Sequence, residues 1–118
     1  METSVILRLL AVFAGSGLGG VCRWAVGQVC TSSWPMGTML VNVAGCFLIG
    51  LLSRMAPQNE LMRLLFVTGF CGGFTTFSTF INENLLMLRS AQLFPMLAYA
   101  SASFFLGLGV AAIGYKCL

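Results

Sequence analysis

Residues 69–80, Gly-Phe-Cys-Gly-Gly-Phe-Thr-Thr-Phe-Ser-Thr-Phe, concentrate the groups best suited to handling bare ions. Gly69, Gly72 and Gly73 weaken any helix through them. At membrane depth, main chain left unpaired is tolerated only inside protein or beside a water-filled cavity, so this spacing predicts a helix broken near Gly72. A broken helix offers carbonyls from its first half and amides from its second, suited to cations and anions respectively. The alternative is close helix packing through glycine. Thr75, Thr76, Ser78 and Thr79 follow, interleaved with Phe74, Phe77 and Phe80. At helical spacing Thr75, Thr79 and Asn82 share a face, and Phe77 and Phe80 stand one turn apart. Phenylalanine so spaced usually serves packing. Yet the edge of an aromatic ring is positive, so two rings turned edge-on to a pathway can hold an anion without trapping it, the balance that conduction requires.

Other polar residues interrupt apolar runs. Thr38, Asn42, Gly45 and Ser53 form a stripe, and the Asn42 amide needs partners either across a helix interface or in a pore. Tyr99, Ser103, Gly107, Ala111 and Tyr115 recur at steps of four, combining a polar track at one end with a small-residue packing face in the middle. Gly15, Gly19, Arg23 and Gly27 recur likewise, and a guanidinium on such a stripe needs acceptors. Arg23 is expected at an aqueous mouth, attracting anions. Glu83 is expected near the far end of its span, beside a basic group or helix end.

These residues must be positioned by membrane helices. Of 118 residues, 58% are hydrophobic and 8% charged, against roughly a quarter charged in soluble domains. A helix needs about 20 mostly apolar residues to cross the hydrocarbon core. Charge-free stretches run from Trp24 to Ser53, Leu64 to Asn82 and Ser90 to Tyr115, with a shorter one from Leu9 to Cys22 between Arg8 and Arg23. The expected spans are Val5 to Val29, Gly37 to Ser53 after the turn Thr31 to Pro35, Leu61 to Leu88 after the loop Arg54 to Glu60, and Pro95 to Tyr115. The fold class is therefore an all-α membrane protein, one four-helix domain over residues 1–118 with the third helix broken at its centre. The N-terminal stretch reads as retained, because Glu2 offsets Arg8 ahead of the apolar run and no A-x-A-like cleavage site follows. Trp24, Trp34 and Tyr115 are expected near the membrane interfaces.

Charge and cysteine usage narrow the function. Four spans put both termini and the Arg54 to Arg63 loop on one side, with Arg8, Arg54, Arg63 and Lys116, against Arg89 and Arg23 on the other. So small a bias permits either orientation. Five cysteines without a CxxC pair, and no histidine, argue against a zinc site or disulfide framework. A scattered net charge of +3 does not suit nucleic acid, and no nucleophile, base and orienting group occur together, so an enzyme is not expected.

Three segments in order, Gly19-Gly20-Val21-Cys22-Arg23-Trp24, Gly37-Thr38-Met39-Leu40-Val41-Asn42-Val43-Ala44-Gly45 and Gly69 to Phe80, resemble the Fluc (CrcB) family of fluoride channels. The fourth span is similar in length and in Tyr99 and Ser103. The resemblance implies passive export of cytoplasmic fluoride through two pores of an antiparallel, dual-topology homodimer in the lipid bilayer of the bacterial plasma (inner) membrane. It implies a structural sodium ion on the dimer axis, bound by backbone carbonyls of Gly72 and Thr75. Phe77 and Phe80 would form an aromatic box with Asn42 as the pore amide. Ser78, Thr79, Tyr99 and Ser103 would supply hydroxyls, and Arg23 would stand at the vestibule. Two positions depart from the family pattern: Phe74 is bulkier than the small aliphatic residue common there, and Gly107 replaces a hydroxyl of some relatives. The rivals are a proton-coupled small multidrug transporter, which needs a deep carboxylate, and a non-conducting assembly subunit.

Overall fold

A computed structural model describes residues 4–31, 34–55 and 58–117. Every regular element among them is helical, and four helical segments are long and apolar enough to cross a membrane. Ser32 and Ser33 of the expected first turn, and Ala56 and Pro57 of the second loop, lie outside the described residues.

The first span, α1 (Val5–Val29), starts at Ser4, whose hydroxyl accepts from the Ile6 and Leu7 amides. Such a cap satisfies donors that have no partner within the helix. The second, α2 (Met36–Met55), returns towards the N-terminal end. The third span covers Glu60–Arg89. It opens with α3 (Glu60–Arg63), capped by the Asn59 side chain, and continues as a π-helical run, Leu64–Cys71, and a short turn α4 (Gly72–Phe74). Thr75 and Thr76 are extended, with φ/ψ of −91/157° and −149/119°, before α5 (Phe77–Arg89). The fourth span, α6 (Leu93–Cys117), carries Pro95 in its first turn, where the missing amide costs nothing.

The third span thus bends at Thr75 and Thr76, whereas Gly72 keeps helical angles of −63/−38°. The departure from helix falls beyond the glycines because Gly69 and Gly73 are committed elsewhere. A methyl on Gly73 would strike the Ser16 backbone, one on Gly69 the Gly15 Cα, and one on Gly15 or Gly19 the main chain of Leu65 or Phe70. Glycine against glycine brings α1 and the third span into backbone contact. Gly72, in contrast, meets nothing within 4 Å. A second seam joins α2 to α6, where Gly50 faces Ala111, Gly114 faces Phe47, and Gly107 faces the Cys46 sulfur.

Large apolar side chains cover the outside, including Phe13, Val29, Phe94 and Phe105, while Val41, Cys71 and Tyr99 are the buried apolar ones among the described residues. Such inversion suits a chain solvated by lipid rather than water. At the end holding both termini, Arg8 pairs with Glu60 at 3.2 Å and the Arg54 guanidinium lies over the Tyr115 ring.

Candidate functional site

The bend is held by one side chain. Asn42, in the second turn of α2, accepts from the Thr76 amide at 2.8 Å and donates to the Thr76 carbonyl at 3.1 Å. Engaging both polar groups of one residue fixes which way round the amide sits, since the reverse would oppose donor to donor. An amide nitrogen carries two protons, so one Asn42 N–H remains for another acceptor. The Thr76 hydroxyl in turn caps α5 by accepting from the Thr79 amide at 3.2 Å. Thr75 closes back on the preceding turn, its amide and hydroxyl both donating to the Cys71 carbonyl. Because Asn42 takes the Thr76 amide, the Gly72 carbonyl loses the partner that a continuing α-helix would give it.

On the side of the bend away from the termini, a cavity of about 360 Å³ is lined by Arg23, Trp34, Thr38, Thr76, Thr79 and Glu83, among others. Arg23 is half-buried and donates through Nε to the Gly73 carbonyl at 3.1 Å, so its charge is anchored beside the bend. Glu83 accepts from the Thr38 hydroxyl at 2.8 Å and the Tyr99 hydroxyl at 2.7 Å, one on each carboxylate oxygen. Its partners are therefore hydroxyls, not the basic group or helix end expected of it.

A smaller cavity of about 290 Å³ is lined by Asn42, Phe77, Phe80, Ala100, Ser103 and Phe104. Phe77 is 74% exposed in the single chain, and its ring centroid lies 5.9 Å from that of Phe80. The Ser103 hydroxyl oxygen is buried with no hydrogen-bond partner among the described residues. A third cavity, also about 290 Å³, is lined by Asn42, Thr75, Thr76 and Phe77 among others. Tyr99 is wholly buried, its ring against Phe80 of the second cavity and its hydroxyl committed to Glu83 of the first. Asn42, Phe77, Phe80 and Ser103 thus meet in one cavity, and Arg23 and Thr79 in another. Ser78 is exposed and lines none of the three, and Gly72 is exposed at the bend.

Residues 10–115 match the family described as CrcB-like protein, Camphor Resistance (CrcB). The chain belongs to the CrcB-like family. It is 39% identical over 116 residues to a protein named fluoride-specific ion channel FluC of Gloeothece citriformis, covering 92% of this chain and 94% of that one. It is 42% identical over 118 residues to the FluC of Bordetella petrii, covering 96% and 92%. A third relative, FluC 2 of Rhodococcus jostii, is 41% identical over 112 residues, covering 93% and 97%.

Within this CrcB-like chain, the two departures have structural accounts. Phe74 stacks on Phe70 with centroids 5.4 Å apart, so its bulk is absorbed within the third span. Gly107 packs against the Cys46 side chain on the seam between α2 and α6. Sequence reasoning missed Thr76 as the cap of α5 and Thr38 as a partner of Glu83. The first was legible as a threonine immediately ahead of a helical run. The second had no local signal, since 45 residues separate the partners.

Proposed function

We propose that this chain is one subunit of a fluoride-selective ion channel, exporting cytoplasmic fluoride passively across the bacterial plasma (inner) membrane. The observation that carries the reading is the cavity lined by Asn42, Phe77, Phe80 and Ser103, in which the Ser103 hydroxyl oxygen has no partner among the described residues. Fluoride is small and strongly hydrated, so a pathway must replace its water with donors in close succession, weakly enough to release it. Arg23 draws anions to the mouth, where Thr79 offers a hydroxyl; the ring edges and Ser103 continue the route. Tyr99 supports the route from behind Phe80, its own proton being given to Glu83. Ser78 serves the pathway from the subunit surface.

An antiparallel, dual-topology homodimer with two pores follows from the same features. Phe77 and Gly72 are exposed in one subunit and would be covered by another. Four short helices enclose too little volume for a complete pore. The proposed structural sodium fits the residues present: the Gly72 carbonyl is relieved of its helical partner, and both Gly72 and Thr75 stand at the bend. Their carbonyl oxygens would hold it, and the ion would supply positive charge between the subunits.

Purified protein in liposomes tests the proposal: fluoride efflux without chloride efflux is expected, and Phe77→Ile or Phe80→Ile should abolish it while the dimer persists. Absence of any ion flux from the wild-type protein would favour an assembly subunit. Proton-driven export of cationic drugs that Glu83→Gln abolishes would favour a multidrug transporter, although a carboxylate already accepting two hydrogen bonds is poorly placed to exchange cations.

A further inference from the structure

Trp34 stands on the connection between α1 and α2, yet rings link it continuously to the pathway. Its centroid lies 5.6 Å from that of Tyr99, with the ring planes at 81°. Tyr99 lies 5.1 Å from Phe80 at 52°, and Phe80 lies 5.9 Å from Phe77 at 38°. Trp34 also lines the mouth cavity. We infer that Trp34 is a positioning residue for the pore: it fixes the ring plane of Tyr99 and, through Tyr99, the edge that Phe80 turns to a permeating anion. The inference rests on the fluoride-channel reading and adds a residue outside the aromatic pair.

The geometry of tyrosine explains why a lateral neighbour is needed. Its hydroxyl oxygen lies close to the axis about which the ring turns, so the 2.7 Å bond to Glu83 anchors the end of Tyr99 but holds the ring plane only weakly, through the preference of a phenol O–H for that plane. Contacts on the ring faces and edges supply the rest of the restraint. Trp34 meets Tyr99 nearly perpendicularly, an arrangement in which the positive edge of one ring faces the negative face of the other and which favours one orientation. Phe80 meets the same ring. With Trp34 gone, Tyr99 can turn, and Phe80 can turn with it. An anion held by ring edges is sensitive to that rotation in a way that an apolar core is not.

The test compares Trp34→Leu, which keeps an apolar side chain but no ring, with Trp34→Phe, which keeps a ring edge. In liposomes Trp34→Leu should lower fluoride efflux roughly three- to tenfold, the scale of one lost aromatic pair, and lower the ratio of fluoride to chloride efflux. Trp34→Phe should restore both, with equal dimer elution and thermal stability in the two variants. Wild-type flux and selectivity in Trp34→Leu, or equal impairment in both variants, would overturn the inference. Should Trp34→Leu fail to assemble, fluorine resonance of 3-fluorotyrosine at Tyr99 reads the ring directly in the wild-type and Trp34→Phe proteins: one locked orientation is expected, and free flipping overturns it. If the wild-type protein passes no fluoride, the channel reading itself falls; if it conducts and the leucine variant is normal, only the role of Trp34 falls.

Discussion

Asn42 serves two structures at once. It bonds both the amide and the carbonyl of Thr76 in the third span, and it lines the cavity of Phe77, Phe80 and Ser103. Asn42→Asp separates these roles, because the carboxylate can still accept from the Thr76 amide but loses its donor and gains a charge. Fluoride efflux in that variant should fall roughly a hundredfold or more, since like charges about 4 Å apart repel by about 4 kcal/mol at an effective dielectric of about 20. Undiminished efflux through Asn42→Asp in the liposome assay would mean that the side chain only holds the backbone. Glu83 shows the complementary arrangement: a carboxylate lining the cavity of Arg23 and Thr79 whose two oxygens each accept from a hydroxyl donor.

Among the elements, the third span combines a wide π-helical run with a two-residue extended step. π-Helix is uncommon and tends to appear at functional positions. Here it spans the stretch where Gly69 meets Gly15 of α1, and the step follows where Asn42 and the Thr76 hydroxyl offer the backbone substitutes for helical bonds. The turn joining α5 to α6 is built differently. Gln92 donates to the Met87 carbonyl and Ala91 to that of Leu88, a helix stop that normally places glycine at the residue with positive φ. Ala91 occupies that position at φ 58°. An L side chain in the left-handed region costs about 1–2 kcal/mol, so Ala91→Gly should stabilise the folded protein by about 1 kcal/mol, after the added freedom of the unfolded chain is deducted. Thermal unfolding in detergent would register this as a raised midpoint, and an unchanged or lowered midpoint would contradict it.

For the whole molecule, the decisive quantity is how little charge distinguishes its two ends. Arg8, Arg54, Arg63 and Lys116 belong to one end, where Arg8 pairs with Glu60 and Arg54 lies over Tyr115 without losing their charge, and Arg23 and Arg89 belong to the other. The bias is weak, and basic residues outside the membrane are what orient a chain during insertion. Under the antiparallel-dimer proposal, a single cysteine replacing Gln58 in a cysteine-free background should react with a membrane-impermeant thiol reagent from both sides of the bilayer. Labelling confined to one side would exclude dual topology. The apolar exterior, with Phe13, Phe94 and Phe105 outward, leaves surroundings outside the chain to provide the burial that a soluble fold finds in its own core.

The amino-acid sequence alone determined the four spans. Their length and lack of charge are local properties, and the expected limits of α1, Val5 to Val29, are those observed. It also determined the unusual chemistry of residues 69–80, because glycine, hydroxyl and phenylalanine are legible by type, as was the family. Tertiary structure decided what each of these does. Gly69 and Gly73 proved to be contact surfaces for α1, while Gly72 was left open. The bend settled at Thr75 and Thr76 because Asn42, more than 30 residues earlier, supplies the bonds that the helix gives up there. Whether a polar group in a membrane helix faces a neighbour or a cavity depends on partners distant in the chain, and helical periodicity gives only the direction in which each side chain points.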